Sequence, residues 1–222
     1  MNSPDKLQIH DIINSEKGKI MNINLIKKLS QNKVFPIIRN SDPQTAADIA
    51  KAIIDGGLDI IEIAVENPKV FNTIEALSKE ATICAGGIIT TIQAQTAIDC
   101  GAKIISSPIF QMNLVKISKD RQLPLIAGTS TANEAYEAWK ARIPMVKVYP
   151  ATALGGVEYI ENLLRPMPFL NIIPQGDVKL NEVKQYLDVG AIAVGVGRHL
   201  IADAASYSEI TSRTKKLLES LK

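Results

Sequence analysis

The sequence predicts an α/β fold, a (β/α)8 TIM barrel, on three observations. Eight short β-rich apolar runs are spread along the chain, helical patterns fill the gaps between them, and one helix-to-strand join recurs. The join reads "IDGGLDII", "IDCGAKII" and "LDVGAIAV". In each, Asp lies just before a glycine (Gly57, Gly101 or Gly190) suited to the left-handed position past a helix C-terminus, and a β-rich run follows at once. The spacings of these glycines are close to two and four copies of a unit of about 22 residues, the size of a compact strand-helix step.

The elements follow in order. The first strand is expected at Val34–Ile38, and the helical pattern "PQTAADIAKAIID" after it opens on a proline, tolerated in a first helical turn. The second strand is Ile60–Ala64, followed by "PKVFNTIEALSKE", again opened by proline. The third is Thr82–Ala85, followed by "TIQAQTAIDC". The fourth and fifth are Lys103–Ser106 and Leu123–Ala127, and "TANEAYEAWKA" then starts on a Thr cap. The last three are Met145–Val148, Asn171–Pro174 and Ile192–Val196. A doubly wound open sheet is the alternative, disfavoured because "VFPIIRNSD" stands where a G-x-G-x-x-G would follow the first strand. Residues 1–24 are read as an N-terminal extension forming a helical or extended cover, and 25–222 as a single barrel domain.

Composition excludes several function classes. The chain has 222 residues and is 46% hydrophobic, enough for one sizeable core. Its 25 Lys+Arg against 23 Asp+Glu give a net charge of +2 with no basic block, so neither nucleic acid nor a charged membrane surface is an expected partner. No apolar run approaches a membrane span, and the chain reads as soluble and cytoplasmic. Cys84 and Cys100 lack CxxC spacing and are expected to be a reduced, buried pair. With only His10 and His199, a histidine-rich metal site is nearly excluded.

Two charges stand out inside apolar strands: Glu62 in "DIIEIAV" and Lys147 in "PMVKVYP". Alternation turns Ile61, Ile63, Val146 and Val148 toward the helices, so Glu62 and Lys147 point inward. Alternate strands of a barrel feed one layer, and the second and sixth strands bring these side chains together near the C-terminal mouth. One reading is a structural ion pair. The other is covalent catalysis, with the lysine amine forming an imine with a ketone and the carboxylate moving protons.

"VKVYPATALGG" resembles the Schiff-base lysine segment of the KDPG/KHG aldolases, class I enzymes that cleave 2-keto-3-deoxy-6-phosphogluconate or 4-hydroxy-2-oxoglutarate to pyruvate and an aldehyde. The resemblance runs from about Lys33 to Ile201 and includes "FPIIR", "GGLDIIEIAVENP", "CAGGI", "IISSPIF", "PLIAGTSTANEA", "IIPQGDV" and "AVGVGRHL" in family order. It implies Lys147 as the nucleophile and Glu62 as the general acid/base. For substrate binding it implies Tyr149 beside the imine, Pro108 lining the pocket and Arg39 gripping a carboxylate. The alternative for Arg39 is a solvated strand-end arginine. It also implies a small 2-oxo acid substrate, no cofactor or metal, and a homotrimer.

Four positions depart from the family pattern. Glu66 stands where an arginine is usual, and Gly87 where "GAGT" has its threonine. Gln175-Gly176-Asp177 replaces "TGG", and Arg198 replaces the serine of "GVGS". In the family, phosphate sits on backbone N–H groups of the last two loops. An Asp177 carboxylate aimed there repels phosphate, whereas Arg198 either binds it or pairs with Asp177. A third possibility has Asp177 capping a helix that starts near Lys179. The alternative function is therefore a non-catalytic or altered-specificity barrel for an unphosphorylated 2-oxo acid.

Overall fold

The structure, a computed structural model, describes residues 23–201 and 206–222. Of the expected extension over residues 1–24, residues 1–22, His10 among them, lie outside them. After α1 (Ile23–Asn32) come β1 (Val34–Ile38), α2 (Pro43–Asp55), β2 (Ile60–Ala64), α3 (Val70–Leu77), β3 (Thr82–Gly86) and α4 (Thr91–Asp99). These are followed by β4 (Ile104–Ser107), α5 (Met112–Arg121), β5 (Leu125–Thr129), α6 (Ala132–Lys140), β6 (Met145–Val148) and α7 (Gly156–Leu164). The last elements are β7 (Ile172–Pro174), a 3-10 turn at Leu180–Glu182, α8 (Val183–Asp188), β8 (Val194–Val196), α9 (Arg198–Ile201) and α10 (Tyr207–Ser220).

All paired strands are parallel, in the order β7-β6-β5-β4-β3-β2-β1-β8. Between β7 and β8 the Ile192 N–H donates to the Ile172 carbonyl at 3.0 Å, which nearly closes the barrel. An open doubly wound sheet is thereby replaced by a ring with helices outside.

The recurring join is one device used three times. Gly57, Gly101 and Gly190 have φ of 105°, 94° and 108°. The next residue's N–H, on Leu58, Ala102 or Ala191, reaches back to the carbonyl of Ile53, Ala97 or Tyr186, as in a Schellman cap. Gln122 and Arg142 fill the same left-handed position without glycine, with φ of 54° and 62°. Leu123 and Ile143 close the same bond, to Ser118 and Ala138. The period is thus more regular in space than the glycines alone suggest.

Several strand limits shift from those expected. Leu123 is spent on the α5 cap and Pro124 has no N–H, so the fifth strand starts at Leu125 and runs to Thr129. The third strand gains Gly86. The fourth is Ile104–Ser107, the seventh begins at Ile172 and the eighth at Val194.

Alternation divides the apolar residues into two cores. Ile61, Ile63, Val146 and Val148 face outward and pack with buried helix residues such as Ala50, Ile53, Ile74 and Ala138. Phe35, Ile60, Cys84, Ile104, Ile126, Met145, Ile173 and Ala193 fill the barrel, with Leu29 of α1 packed among them. Burying each large side chain contributes about 1.5–3 kcal/mol, so this interior layer is a solid floor under whatever stands above it. The cysteines correct one expectation: both are free, but only Cys84 is buried, while Cys100 is partly exposed in the α4 cap.

Candidate active site

One step above that floor along β2, β4 and β6, the side chains change character. Ile60 is followed inward by Glu62, Ile104 by Ser106 and Met145 by Lys147. Register runs from Glu62 through Cys84 to Ile104 and from Ser106 through Ile126 to Met145, so it is the tilt of the strands in the barrel that brings the three polar side chains to one level. The Lys147 amine donates to Ser106 Oγ at 2.8 Å and lies 3.9 Å from Glu62 Oε1. Both charged side chains are almost fully buried, at 5% and 3% exposure. Just past the end of β7, Gln175 Nε2 donates to Glu62 Oε1 at 3.2 Å. Glu62 Oε2 and Gln175 Oε1 are buried with no hydrogen-bond partner among the described residues.

Glycines make room for this cluster. A Cβ on Gly86 would collide with the Glu62 carboxyl, and one on Gly128 with the backbone of Pro108. One on Gly195 would press on Gln175 at 3.0 Å. Strand positions that elsewhere fill a barrel are therefore left open, and a cavity of about 440 Å³ lies over the lysine. Its walls are Arg39, Glu62, Ala64, Val65, Glu66, Gly87, Pro108, Lys147, Tyr149 and Gln175.

Of the residues expected at the site, Lys147, Glu62, Arg39, Gly87, Pro108 and Tyr149 thus meet at one cavity. Arg39 closes the first strand at the cavity rim with its side chain 62% exposed. Its Nη1 donates to Glu66 Oε1 at 3.1 Å, so the unusual glutamate holds the candidate carboxylate ligand. Gly176, Asp177 and Arg198 do not line this cavity. Asp177 sits in left-handed backbone (φ 58°) and accepts from Arg198 Nε at 2.6 Å, with His199 Nε2 at 2.8 Å. The Arg198 hydrogen bond, helped by His199, holds its carboxyl below the usual range. Asp177 does not cap the following helix turn: the Lys179 N–H is taken by Glu182. Pairing with Arg198 is the arrangement adopted.

Cys84 lies in the floor beneath the charges. Burial pushes its thiol well above the ordinary value, Glu62 pushes the same way and Lys147 opposes. It stays a neutral apolar filler rather than a nucleophile. Sequence reasoning missed Ser106 and the bond from Gln175 to Glu62. The signal for Ser106 was its place two residues after Ile104, which puts it on the inward face of β4 as Glu62 is on β2 and Lys147 on β6.

The cluster pairs a buried amine with a buried carboxylate at a walled cavity, a setting suited to imine formation and proton transfer. Comparison with known proteins gives a concordant result. A family model described as "Aldolase: KDPG and KHG aldolase" matches residues 25–216. The chain is 26% identical over 204 residues to the 2-dehydro-3-deoxy-phosphogluconate aldolase of Treponema pallidum, covering 89% of this chain and 97% of that one. It is also 26% identical over 201 residues to the KHG/KDPG aldolase of Escherichia coli K12, covering 87% and 94%. Among solved structures, a KDPG aldolase from Legionella pneumophila, with pyruvate captured as a covalent carbinolamine, shares the fold at a TM-score of 0.80. That match has 24% identity and covers 86% of this chain and 97% of that one. By the extent of the family match, supported by these relatives, the chain belongs to the KDPG and KHG aldolases, a family of carbon–carbon lyases.

Proposed function

We propose that Lys147 and Glu62 carry a class I aldol cleavage releasing pyruvate and an aldehyde. The observation that carries this reading is the buried amine and carboxylate facing each other 3.9 Å apart under one cavity. The Lys147 amine adds to the C2 ketone of a 2-oxo acid aldol, and loss of water gives a protonated imine. The C3–C4 bond then breaks: its electron pair moves to C3 and onto the imine nitrogen, forming an enamine. The C4 hydroxyl passes its proton to Glu62 and C4 leaves as the aldehyde. Reprotonation at C3 and hydrolysis of the imine release pyruvate and restore the amine. The Legionella protein, whose pyruvate was captured as a carbinolamine, supports this chemistry by analogy. Borohydride added with pyruvate tests it. A stable mass increase located at Lys147 is expected, and folded protein with unchanged mass would sink the assignment.

The substrate's far end is the second question. Asp177, Arg198 and His199 satisfy one another, and Arg39 and Glu66 do the same at the cavity rim. Both observations favour an unphosphorylated substrate, because a phosphate would have to displace Asp177 from Arg198 and then face its charge. Phosphorylated and unphosphorylated forms of the same aldol should differ in kcat/KM, with the unphosphorylated one preferred. Asp177→Gly should narrow that gap by about tenfold, within the range of one charge contact. A wild-type preference for the phosphorylated form would reverse this assignment.

The homotrimer implied by resemblance has one supporting feature. Ile89, Ile92, Ile109 and Met112, from the segments following β3 and β4, are 49–78% exposed and form a surface fit for burial against other copies. No helix among the described residues is long and apolar enough to cross a membrane. A solution mass of a single chain would remove the trimer.

A further inference from the structure

Lys147 is anchored at both ends. Its backbone pairs with Gly128 of β5 and Ile173 of β7, and its carbonyl also accepts from Thr129 Oγ1 at 3.3 Å. The four-carbon stem between that backbone and the amine is flexible by itself, so the nitrogen needs a second point of attachment to stay in one place. Ser106 Oγ supplies it at 2.8 Å and is the only hydrogen-bond partner of the amine among the described residues. Glu62 Oε1, at 3.9 Å, is beyond hydrogen-bond range and is taken by Gln175. Ser106 is itself fully buried, and a buried hydroxyl without a bond costs stability. The serine and the amine therefore answer each other, away from solvent.

We infer that Ser106 is a third catalytic residue: its hydroxyl oxygen holds the Lys147 nitrogen through the reaction and sets the plane of the imine. The inference rests on the Schiff-base reading above. A free amine carries two hydrogens and one lone pair, and with one hydrogen on Ser106 Oγ the lone pair and the other hydrogen are left for the ketone. Ser106 forms no covalent bond and gains no proton. Of the two amine hydrogens, one leaves with the water and the other stays on the imine nitrogen, facing Oγ. Because the C=N group is planar, the bond from this single N–H to a fixed oxygen decides how the plane is turned about the Cε–Nζ axis. The bond that breaks, C3–C4 in the aldol or C3–H in pyruvate, must stand perpendicular to that plane for its electrons to reach the nitrogen. Setting the plane thus sets the direction in which the breaking bond faces Glu62. A purely structural serine would stabilise the buried amine and leave these rates alone.

The test reads deuterium exchange into the methyl group of pyruvate, which passes through the imine and enamine and needs no aldehyde. Ser106→Ala removes the oxygen, and Ser106→Cys stays close to serine in size but offers only a weak acceptor. In both variants, per folded protein as judged by melting curves, the exchange rate at saturating pyruvate should fall by about 10- to 100-fold, the scale of a reacting group displaced by ~1 Å. The half-saturating pyruvate concentration should change by less than about threefold, and borohydride with pyruvate should still label Lys147. Exchange within about threefold of wild type in either variant overturns the inference, and a lowered melt alongside it returns Ser106 to a structural role. A loss confined to the half-saturating concentration overturns it too, because the hydroxyl would then serve binding alone. Wild type that neither exchanges nor traps pyruvate sinks the Schiff-base reading, whereas trapping with unchanged exchange in the variants sinks only the role of Ser106.

Discussion

Lys147→Met should leave a folded protein with aldol cleavage reduced on the order of 10⁵-fold and no adduct after pyruvate and borohydride. The size of the effect follows from the chemistry, since without the amine there is no imine to take up the electrons of the breaking C3–C4 bond. Methionine matches the lysine stem in length and is at home above the interior floor of Ile126, Met145 and Ile173, so packing is retained. The change does remove one of the groups near Glu62, whose carboxylate then relies on Gln175 alone among the described residues. For that reason the melt of a Lys147→Met/Glu62→Gln double variant is the useful control. Replacing a buried ion pair with neutral, well-packed groups is often neutral or stabilising. The double variant is expected to melt no lower than wild type while remaining inactive. Residual cleavage within about tenfold of wild type in Lys147→Met would end the case for this lysine.

Glu62→Gln separates binding from proton transfer. The substitution keeps the shape, the burial and an oxygen for the Gln175 amide to donate to, but it removes the base. Cleavage and deuterium exchange into the pyruvate methyl group are expected to slow by about 10²–10⁴-fold, the usual worth of a positioned general acid/base. Adduct formation on Lys147 should persist. Exchange at the wild-type rate would take Glu62 out of the mechanism and return the pair to a purely structural role. Gly86 bears on the same result, because the Glu62 carboxyl occupies the space a Cβ would need. A side chain at position 86 therefore acts on the glutamate before it acts on the strand.

Much of this protein is legible along the chain because its rules are local. Period-two alternation in "DIIEIAV" and "PMVKVYP" sends Glu62 and Lys147 inward whatever their distant neighbours are. The glycines after Asp55, Asp99 and Asp188 announce helix ends through backbone conformation alone. Three of the eight strands, Val34–Ile38, Ile60–Ala64 and Met145–Val148, fall where alternation and turn residues put them. The fifth starts later because the preceding helix cap takes the Leu123 N–H, and the third runs one residue further because Gly86 pairs with Ala64.

The polar partnerships were not legible, since each joins residues far apart in sequence. "IISSPIF" offers two serines, and only the place of Ile104 in the interior floor shows that Ser106 faces inward, where its Oγ takes the Lys147 amine 41 positions away. Gln175 looks like a loop residue until β7 closes beside β6 and sets its amide on Glu62, 113 positions earlier. The departures from the family pattern also gain a meaning. Glu66 answers Arg39 across 27 positions, and Asp177 answers Arg198 across 21. The sequence by itself determined the barrel and its inward pair, because strand alternation and helix caps depend on neighbours a few residues away. Only the tertiary structure decided which partners the buried charges take, because that depends on which distant donors and acceptors the closed ring brings within about 3 Å.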